Sequence, residues 1–261
     1  MLLLIDAGNT RVKWALVETG ALLHANTLGC WAASGSVPRA QVRQLTDAWR
    51  NLKIARVILS NVAGQAMRDE LEQTLLGALG MTPVPLEWFA SVAELGGVRN
   101  NYRNPAQLGC DRFASAIGAH ALFPNQPLIV ATCGTATTVD ALTADGVFLG
   151  GMILPGLGLM AASLAKNTAQ LPQVAETLVV SEPFADHTDA AIVSGCIAAQ
   201  AGAIERAVTA HTLRQKPAGG TVQCILSGGA ADMIAPHLSV PSKKVDNLVL
   251  IGLQAVATHT S

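Results

Sequence analysis

Apolar residues come in short unbroken runs, separated by polar or glycine-rich breaks at strand-like intervals. Leu2-Leu3-Leu4-Ile5 runs into Asp6, Gly8-Asn9-Thr10 interrupts, and apolar positions return up to Val17. A short apolar run bounded by turn residues reads as a buried strand, so residues 2–6 and 11–17 are expected to form a hairpin. Residues 22–29 give a third expected strand, and ARVILSNV at 55–62 another. A helical period takes over elsewhere. Val42, Leu45 and Trp49 share one face of an expected helix over 38–51. Met67, Leu71, Leu75 and Leu79 recur at steps of four over 65–79. Residues 82–89 are expected to be extended, because a residue before proline is pushed out of the α region.

Residues 100–109 are polar and turn-rich, and 110–123 read as a helix with Phe113, Ile117 and Ala121 on one side. Pro124-Asn125-Gln126-Pro127 is the strongest break in the chain. It divides the sequence into expected halves of 1–123 and 124–261. The second half predicts a strand, turn and strand over 127–146 and a strand and loop over 146–156. Helices are expected over 157–171 and 187–211, the second rich in Ala and Gly, with Thr188 and Asp189 at its start as capping residues. Residues 221–232 read as a strand ending in Ser-Gly-Gly, 247–259 closes the chain as a helix, and Ser242-Lys243-Lys244 reads as a solvated turn.

The opening pattern returns. At an offset of 126 residues, Leu4-Ile5-Asp6-Ala7-Gly8-Asn9-Thr10 lies over Val130-Ala131-Thr132-Cys133-Gly134-Thr135-Ala136. Two readings stand: a duplicated α/β unit with a cleft between the halves, or two hairpins alike by chance.

Composition narrows the class. The 261 residues are 50% hydrophobic and 13% charged, enough to bury a large core and unlike a disordered chain. A net charge of −1 with no basic run gives no support to nucleic-acid binding, which draws its affinity from Lys and Arg on phosphates. The five cysteines, Cys30, Cys110, Cys133, Cys196 and Cys224, are scattered without a C-x-x-C, as expected of reduced thiols in a cytoplasmic protein. Apolar stretches break well short of the ~20 residues of a membrane helix. His24, His120, His187, His211, His237 and His259 have no metal-ligand spacing.

The glycine turns carry the candidate chemistry. Such turns aim backbone N–H groups outward, where they can cradle phosphate oxygens. Asp6, ending the first strand, is placed to hold Mg²⁺, which prefers oxygen ligands and keeps several waters. Lys13 can return across the hairpin towards a phosphate. An ordinary hairpin turn is the plain alternative, since Asn and Gly favour one anyway.

D-x-G-N-T-x-x-K at 6–13, G-T-A-T-T-V-D at 134–140 and S-G-G-A at 227–230 resemble the phosphate-1, phosphate-2 and adenosine motifs of the actin-like ATPase superfamily. That group includes acetate and sugar kinases, heat-shock chaperone ATPases and actin. YRNPAQLGCDR (102–112), GGMILPG (150–156) with TAQLP (168–172), and HTDAAIVSG (187–195) resemble segments of the type III pantothenate kinases, a family that includes the Bvg accessory factor proteins. The resemblance covers nearly the whole chain in order.

The resemblance implies an α/β fold of two RNase-H-like halves, with mixed sheets flanked by helices. The implied reaction is phosphorylation of pantothenate by ATP with Mg²⁺, the first step towards coenzyme A, in a homodimeric cytoplasmic kinase. By the same resemblance Asp111 is the general base, and Arg112 pairs with the pantothenate carboxylate. Tyr102, Gly109, Cys110 and Thr188 match substrate-contacting positions. Asp6, Ala7, Gly8, Asn9, Thr10, Arg11, Val12, Lys13 and Thr135 match ATP-binding positions. Asp111 falls where a helix begins, and a helix N-terminus favours the ionised carboxylate by about 0.3–1 kcal/mol. Arg112 acts in the same direction, so Asp111 is expected to be a weak base. One departure stands out. Many relatives carry an aspartate that binds K⁺ or NH4⁺ where this chain has Thr132, so the cation site is expected to be weakened or absent. The rival readings are an actin-like kinase for another alcohol or acid, and a regulatory protein on the same fold without catalysis.

Overall fold

Leu2 to Ile5 are all buried, and alternate residues are buried in opposite directions. Leu3, Ile5 and Ala7 join an apolar cluster with Val42, Leu45, Trp49 and Met67, whereas Leu2 and Leu4 join Ala114, Leu250 and Leu253. The strand β1 (Leu2–Ala7) is therefore covered on both faces, which is why its sequence is continuously apolar instead of alternating. The protein is described by a computed structural model over residues 1–20, 27–80, 84–174, 182–215 and 221–259.

The chain divides into two compact units. The first holds Met1–Pro124, Gly146–Phe148 and Asn247–Ser261, and the second Asn125–Asp145 and Leu149–Asp246. The first unit runs β1, β2 (Arg11–Val17), β3 (Ala33–Pro38), a 3-10 segment (Arg39–Gln44), α1 (Leu45–Trp49), β4 (Arg56–Asn61) and α2 (Gln65–Leu79). It continues with β5 (Leu86–Trp88), β6 (Glu94–Leu95), β7 (Val98–Asn100) and α3 (Cys110–Leu122). Its sheet has the order β3-β2-β1-β4-β5, with β1 antiparallel to β2 and parallel to β4.

The second unit comprises β8 (Leu128–Cys133), β9 (Ala136–Leu142), most of β10 (Val147–Pro155), α4 (Leu157–Asn167), α5 (Thr188–Gln215), β11 (Gln223–Ser227), α6 (Ala231–Ile234) and β12 (Ser242–Lys244). Its strands follow the order β12-β11-β8-β9-β10, with β8 antiparallel to β9 and parallel to β11. Numbered within their own units, the first unit's strands run third, second, first, fourth, fifth, and the second unit's do the same when read from β10. The duplicated-unit reading of the sequence is thus met in the topology. By length and composition α5 passes as a membrane span, but Ile192, Val193, Ile197 and Ile204 are buried in this unit's core.

Several expectations change. The third strand is Ala33–Pro38; of the expected 22–29, residues 22–26 lie outside the described residues. Ser34, Gly35 and Ser36 give β3 no apolar run to read, and its backbone pairing with β2 creates it. The helix expected over 38–51 is a 3-10 segment and a short α-helix, with Gln41 at non-helical φ −113°. Ser242–Lys244 is an edge strand, Ser242 pairing with Cys224 of β11; lysines suit such an edge because they discourage further pairing.

The last helix, α7 (Leu248–His259), belongs to the first unit although it follows the second in sequence. It packs on α3 at glycine-only distance. A Cβ on Gly252 would stand 1.9 Å from the Ala114 carbonyl oxygen, and one on Gly118 2.7 Å from the Leu248 carbonyl oxygen. No periodicity in the sequence announces that contact, so the sequence placed this helix in the wrong half.

Candidate active site

The two-residue period of β1 also decides where Asp6 points. Leu2 and Leu4 face α3 and α7, so Asp6 shares that face. Its neighbours in register are Lys13 on β2 and Ser60 on β4, which therefore share the face as well. Burial pushes the Asp6 carboxyl up to about 7; Lys13 pulls it down and Asp111 pushes it up again, with burial the largest effect.

The turn between β1 and β2 is closed by a 3.0 Å hydrogen bond from the Gly8 N–H to the Arg11 carbonyl. Asn9 and Thr10 are exposed at its tip. Ala7 and Val12 are fully buried, so their side chains belong to the core. Arg11 donates from Nε to Ser36 Oγ at 2.8 Å and from Nη2 to the Ser36 carbonyl at 3.1 Å, tying its guanidinium to β3.

Asp111 is the second residue of α3, and its Oδ1 accepts a 2.8 Å bond from the Arg112 N–H. Gly109 caps that helix, and a Cβ there would lie 2.7 Å from Asp111 Oδ1, so a glycine leaves the carboxylate its space. Burial raises the Asp111 carboxyl above its ordinary value, outweighing the Arg112 N–H and the Arg112 charge, which both lower it. The helix terminus and the arginine lower the carboxyl as expected, but removal from water is the larger effect and acts the other way. Cys110 turns its Sγ towards the end of β4, 3.3 Å from Ser60 Oγ and 3.5 Å from the Asn61 carbonyl. Burial pushes that thiol up, so it is a neutral packing group.

Arg112 is only 7% exposed. Its Nη1 donates to Tyr102 Oη at 2.9 Å, and its guanidinium lies 5.7 Å from the Tyr102 ring centre and 5.8 Å from that of Phe148. Asn100, which the sequence reading passed over, organises the loop that carries Tyr102. Its Oδ1 accepts from the Tyr102 N–H at 3.1 Å, and its Nδ2 donates to the carbonyls of Val92 and Pro105. A buried asparagine at a strand end ahead of a polar loop was the available signal. Asp6, Lys13, Tyr102, Gly109, Cys110, Asp111 and Arg112 thus all belong to the first unit.

Thr135 and Thr188 belong to the second unit. Thr135 is exposed in the turn between β8 and β9, which a 3.1 Å bond from the Gly134 N–H to the Ala136 carbonyl closes one residue tighter than its counterpart. Backbone presses on this turn from two directions. The Gly156 N–H donates to the Thr135 carbonyl at 2.9 Å, and a Cβ on Gly156 would sit 2.1 Å from the Gly134 carbonyl oxygen. Gly228, at φ +93°, would place a Cβ 2.3 Å from the Cys133 carbonyl oxygen. The Ser-Gly-Gly segment and the second glycine turn are therefore adjacent. Thr132 stands in register with Thr138 and Ser227, where Asp6 stands in register with Lys13 and Ser60. Thr188 is exposed as the first residue of α5. Among the described residues, no group of three or more His, Cys, Asp or Glu could hold a metal ion.

Two sheets of one strand order, each with a glycine turn after its first strand and helices flanking it, define the actin-like ATPase and sugar kinase fold. A Sinorhizobium meliloti protein assigned as a 2-dehydro-3-deoxygalactonokinase shares it, with TM-score 0.55, 14% identity, and coverage of 100% of this chain and 99% of the other. So does a Campylobacter jejuni protein assigned to the Baf family of transcriptional activators, with TM-score 0.58, 17% identity, and coverage of 99% and 98%. The sequence profile of type III pantothenate kinase matches residues 2–210. The chain is 67% identical to the type III pantothenate kinase of Janthinobacterium sp. (strain Marseille), over 100% of this chain and 99% of the relative. It is 64% identical to that of Herminiimonas arsenicoxydans, over 100% and 98%. The chain belongs to the type III pantothenate kinase family.

The tight space around the Asp111 carboxylate yields a test. Gly109→Ala is expected to displace Oδ1 and lower kcat by ~10²-fold, the cost of about 1 Å of misplacement. Circular dichroism should remain that of the parent, and a kcat within twofold of the parent, by steady-state assay, would count against it.

Proposed function

We propose that this protein transfers the γ-phosphoryl group of ATP to the primary hydroxyl of pantothenate, giving 4′-phosphopantothenate on the route to coenzyme A. Family membership supports the reaction, and one observation carries the chemistry: a half-buried aspartate at a helix start, with a glycine leaving it room and burial raising its basicity. Asp111 accepts the hydroxyl proton as the new O–P bond forms, the bond from the γ-phosphorus to the bridging oxygen breaks, and ADP leaves. The transition state of phosphoryl transfer is loose, so the proton moves late and a carboxylate of modest basicity is enough. Arg112, steadied by Tyr102, presents a planar donor fork suited to the pantothenate carboxylate. Thr188 is assigned to the same substrate.

The β1–β2 turn, from Asp6 to Lys13, and Thr135 in the second unit are assigned to ATP, their backbone N–H groups and hydroxyls suiting phosphate oxygens. Bound Mg²⁺ neutralises phosphate charge. Asp6 would hold it as one oxygen ligand, directly or through water. Among the described residues there is no cage of three or more acidic or His/Cys groups, which suits an ion that arrives on the nucleotide.

Replacing Asp111 by Asn is expected to lower kcat by ~10²-fold or more with the KM for ATP nearly unchanged, the usual scale of a general base. The sign of the pH effect follows from the same residue. Only the ionised carboxylate accepts a proton, so wild-type kcat falls as pH drops through a value above the ordinary 3.8. That acid limb should vanish in Asp111→Asn. Its persistence, or near-normal turnover, would remove Asp111 from the step. Radiolabelled ATP offered with pantothenate or with a sugar panel separates this activity from a related kinase's, and no transfer at all would favour the non-catalytic reading.

Thr132 offers a neutral hydroxyl where many relatives place a charge, so K⁺ and NH4⁺ are expected to change the rate little. A strict K⁺ requirement against a Na⁺ control would overturn that assignment. We also assign a cytoplasmic homodimer. All five cysteines are free, as a reducing compartment keeps them. Ile153 on β10 and Leu159 on α4 are 66% and 50% exposed, apolar surface suited to a second copy. Sedimentation equilibrium should return twice the chain mass of 27.0 kDa, and a monomer mass would refute it.

A further inference from the structure

Gln200 lies within α5 and has no exposed surface. A buried amide must find partners for its donors and its acceptor, or it costs stability. Its Oε1 accepts from Thr137 Oγ1 at 2.6 Å, and its Nε2 donates to the Pro155 carbonyl at 2.8 Å and lies 3.6 Å from Met160 Sδ. A proline carbonyl only accepts, so the amide has one orientation: nitrogen towards Pro155, oxygen towards the Thr137 hydroxyl.

Both partners lead to the second glycine turn. Thr137 is the second residue of β9, directly after that turn. Pro155 precedes Gly156, whose N–H donates to the Thr135 carbonyl at 2.9 Å, and the Gly156 carbonyl accepts from the Met160 N–H at 2.9 Å as α4 begins. One side chain thus anchors the strand that leaves the turn and the loop that presses on it. An apolar residue of similar volume would pack α5 on β9 equally well; the amide adds direction.

We infer that Gln200 is a positioning residue that fixes the Gly134-Thr135 turn at the distance and angle at which it meets the phosphates of ATP. The inference rests on the assignment of Thr135 to the nucleotide. The molecule supplies its own control. His211, also buried on α5, bonds through Nε2 to the carbonyl of Leu142 at 2.8 Å, at the far end of β9 from the turn. Each of Gln200 and His211 clips the same helix to the same strand, but only Gln200 reaches the turn.

The experiment is steady-state kinetics with ATP and pantothenate, with thermal midpoints, on Gln200→Met, Thr137→Val, His211→Leu and Thr135→Ala. Gln200→Met keeps the volume and loses both hydrogen bonds. It is expected to raise the KM for ATP about tenfold and leave the KM for pantothenate within about twofold, the signature of weakened binding to one substrate. Thr137→Val, which leaves Gln200 in place, should shift the same constant in the same direction, and it decides the matter if Gln200→Met does not fold. His211→Leu should lower the midpoint without changing the KM for ATP. An unchanged KM for ATP in the folded Gln200 and Thr137 variants overturns the inference, as does an equal rise in His211→Leu, which would make any lost clip sufficient. If Thr135→Ala alone raises that KM, the turn keeps its role and Gln200 loses its own. If no variant raises it, the turn itself is removed from the nucleotide.

Discussion

The backbone-to-backbone crossing of α3 and α7 is the constraint on which the rest of the first unit depends. Gly118 and Gly252 let the helices approach to a distance that any side chain would prevent, with the Ala114 and Leu248 carbonyls facing the opposing helix. Behind that crossing, Leu2, Leu4, Ala15, Val17 and Ile58 fill the space against the sheet. The depth of α3 sets the position of its N-terminus, and with it Asp111, relative to the face that carries Asp6 and Ser60. A chemical group at the start of one helix is thus placed by the final helix of the chain, more than a hundred residues later.

Burial then does the electrostatic work. Water is the best solvent for a carboxylate, and both aspartates on this face lose part of it. Asp6 rises to about 7 and Asp111 rises as well, and each gains a compensating cation next to it, Lys13 across the hairpin and Arg112 along the helix. The arginine is itself buried and steadied by Tyr102 and Phe148. A planar cation beside two rings and bonded to the Tyr102 hydroxyl has an oriented fork, whereas a lysine there would be a mobile point charge. The loop organised by Asn100 carries Tyr102, and through it orients Arg112 beside the helix start.

The second unit solves a related problem with backbone. Its glycine turn has no Asp6 and no Lys13; Thr132 and Thr138 stand in their place. What holds it is close approach by Gly156 and Gly228 and the directional bonds of Gln200. The two hairpins are alike in topology and different in chemistry. One offers charge, the other rigidly held N–H groups and hydroxyls. The shared strand order follows from twisted α/β packing, which many side chains satisfy.

The sequence by itself determined the strands and helices whose signal is local. Continuous apolar runs marked β1, β4 and β8, and leucine steps of four marked α2 to the residue. The motif D-x-G-N-T-x-x-K was legible as a hairpin that brings Lys13 back, and the structure adds the register that sets it opposite Asp6. Motif order was enough to name the family. Tertiary structure alone decided what depends on contact between distant segments. It gave β3 its pairing, placed α7 in the first unit, buried Asp111 so that its carboxyl rises, and brought Asn100, Ser60 and Gln200 to their partners. The physical reason is the same in each case. Local pattern records which way a side chain faces, but desolvation and hydrogen-bond geometry depend on what arrives opposite it, and that is fixed only when the chain closes on itself.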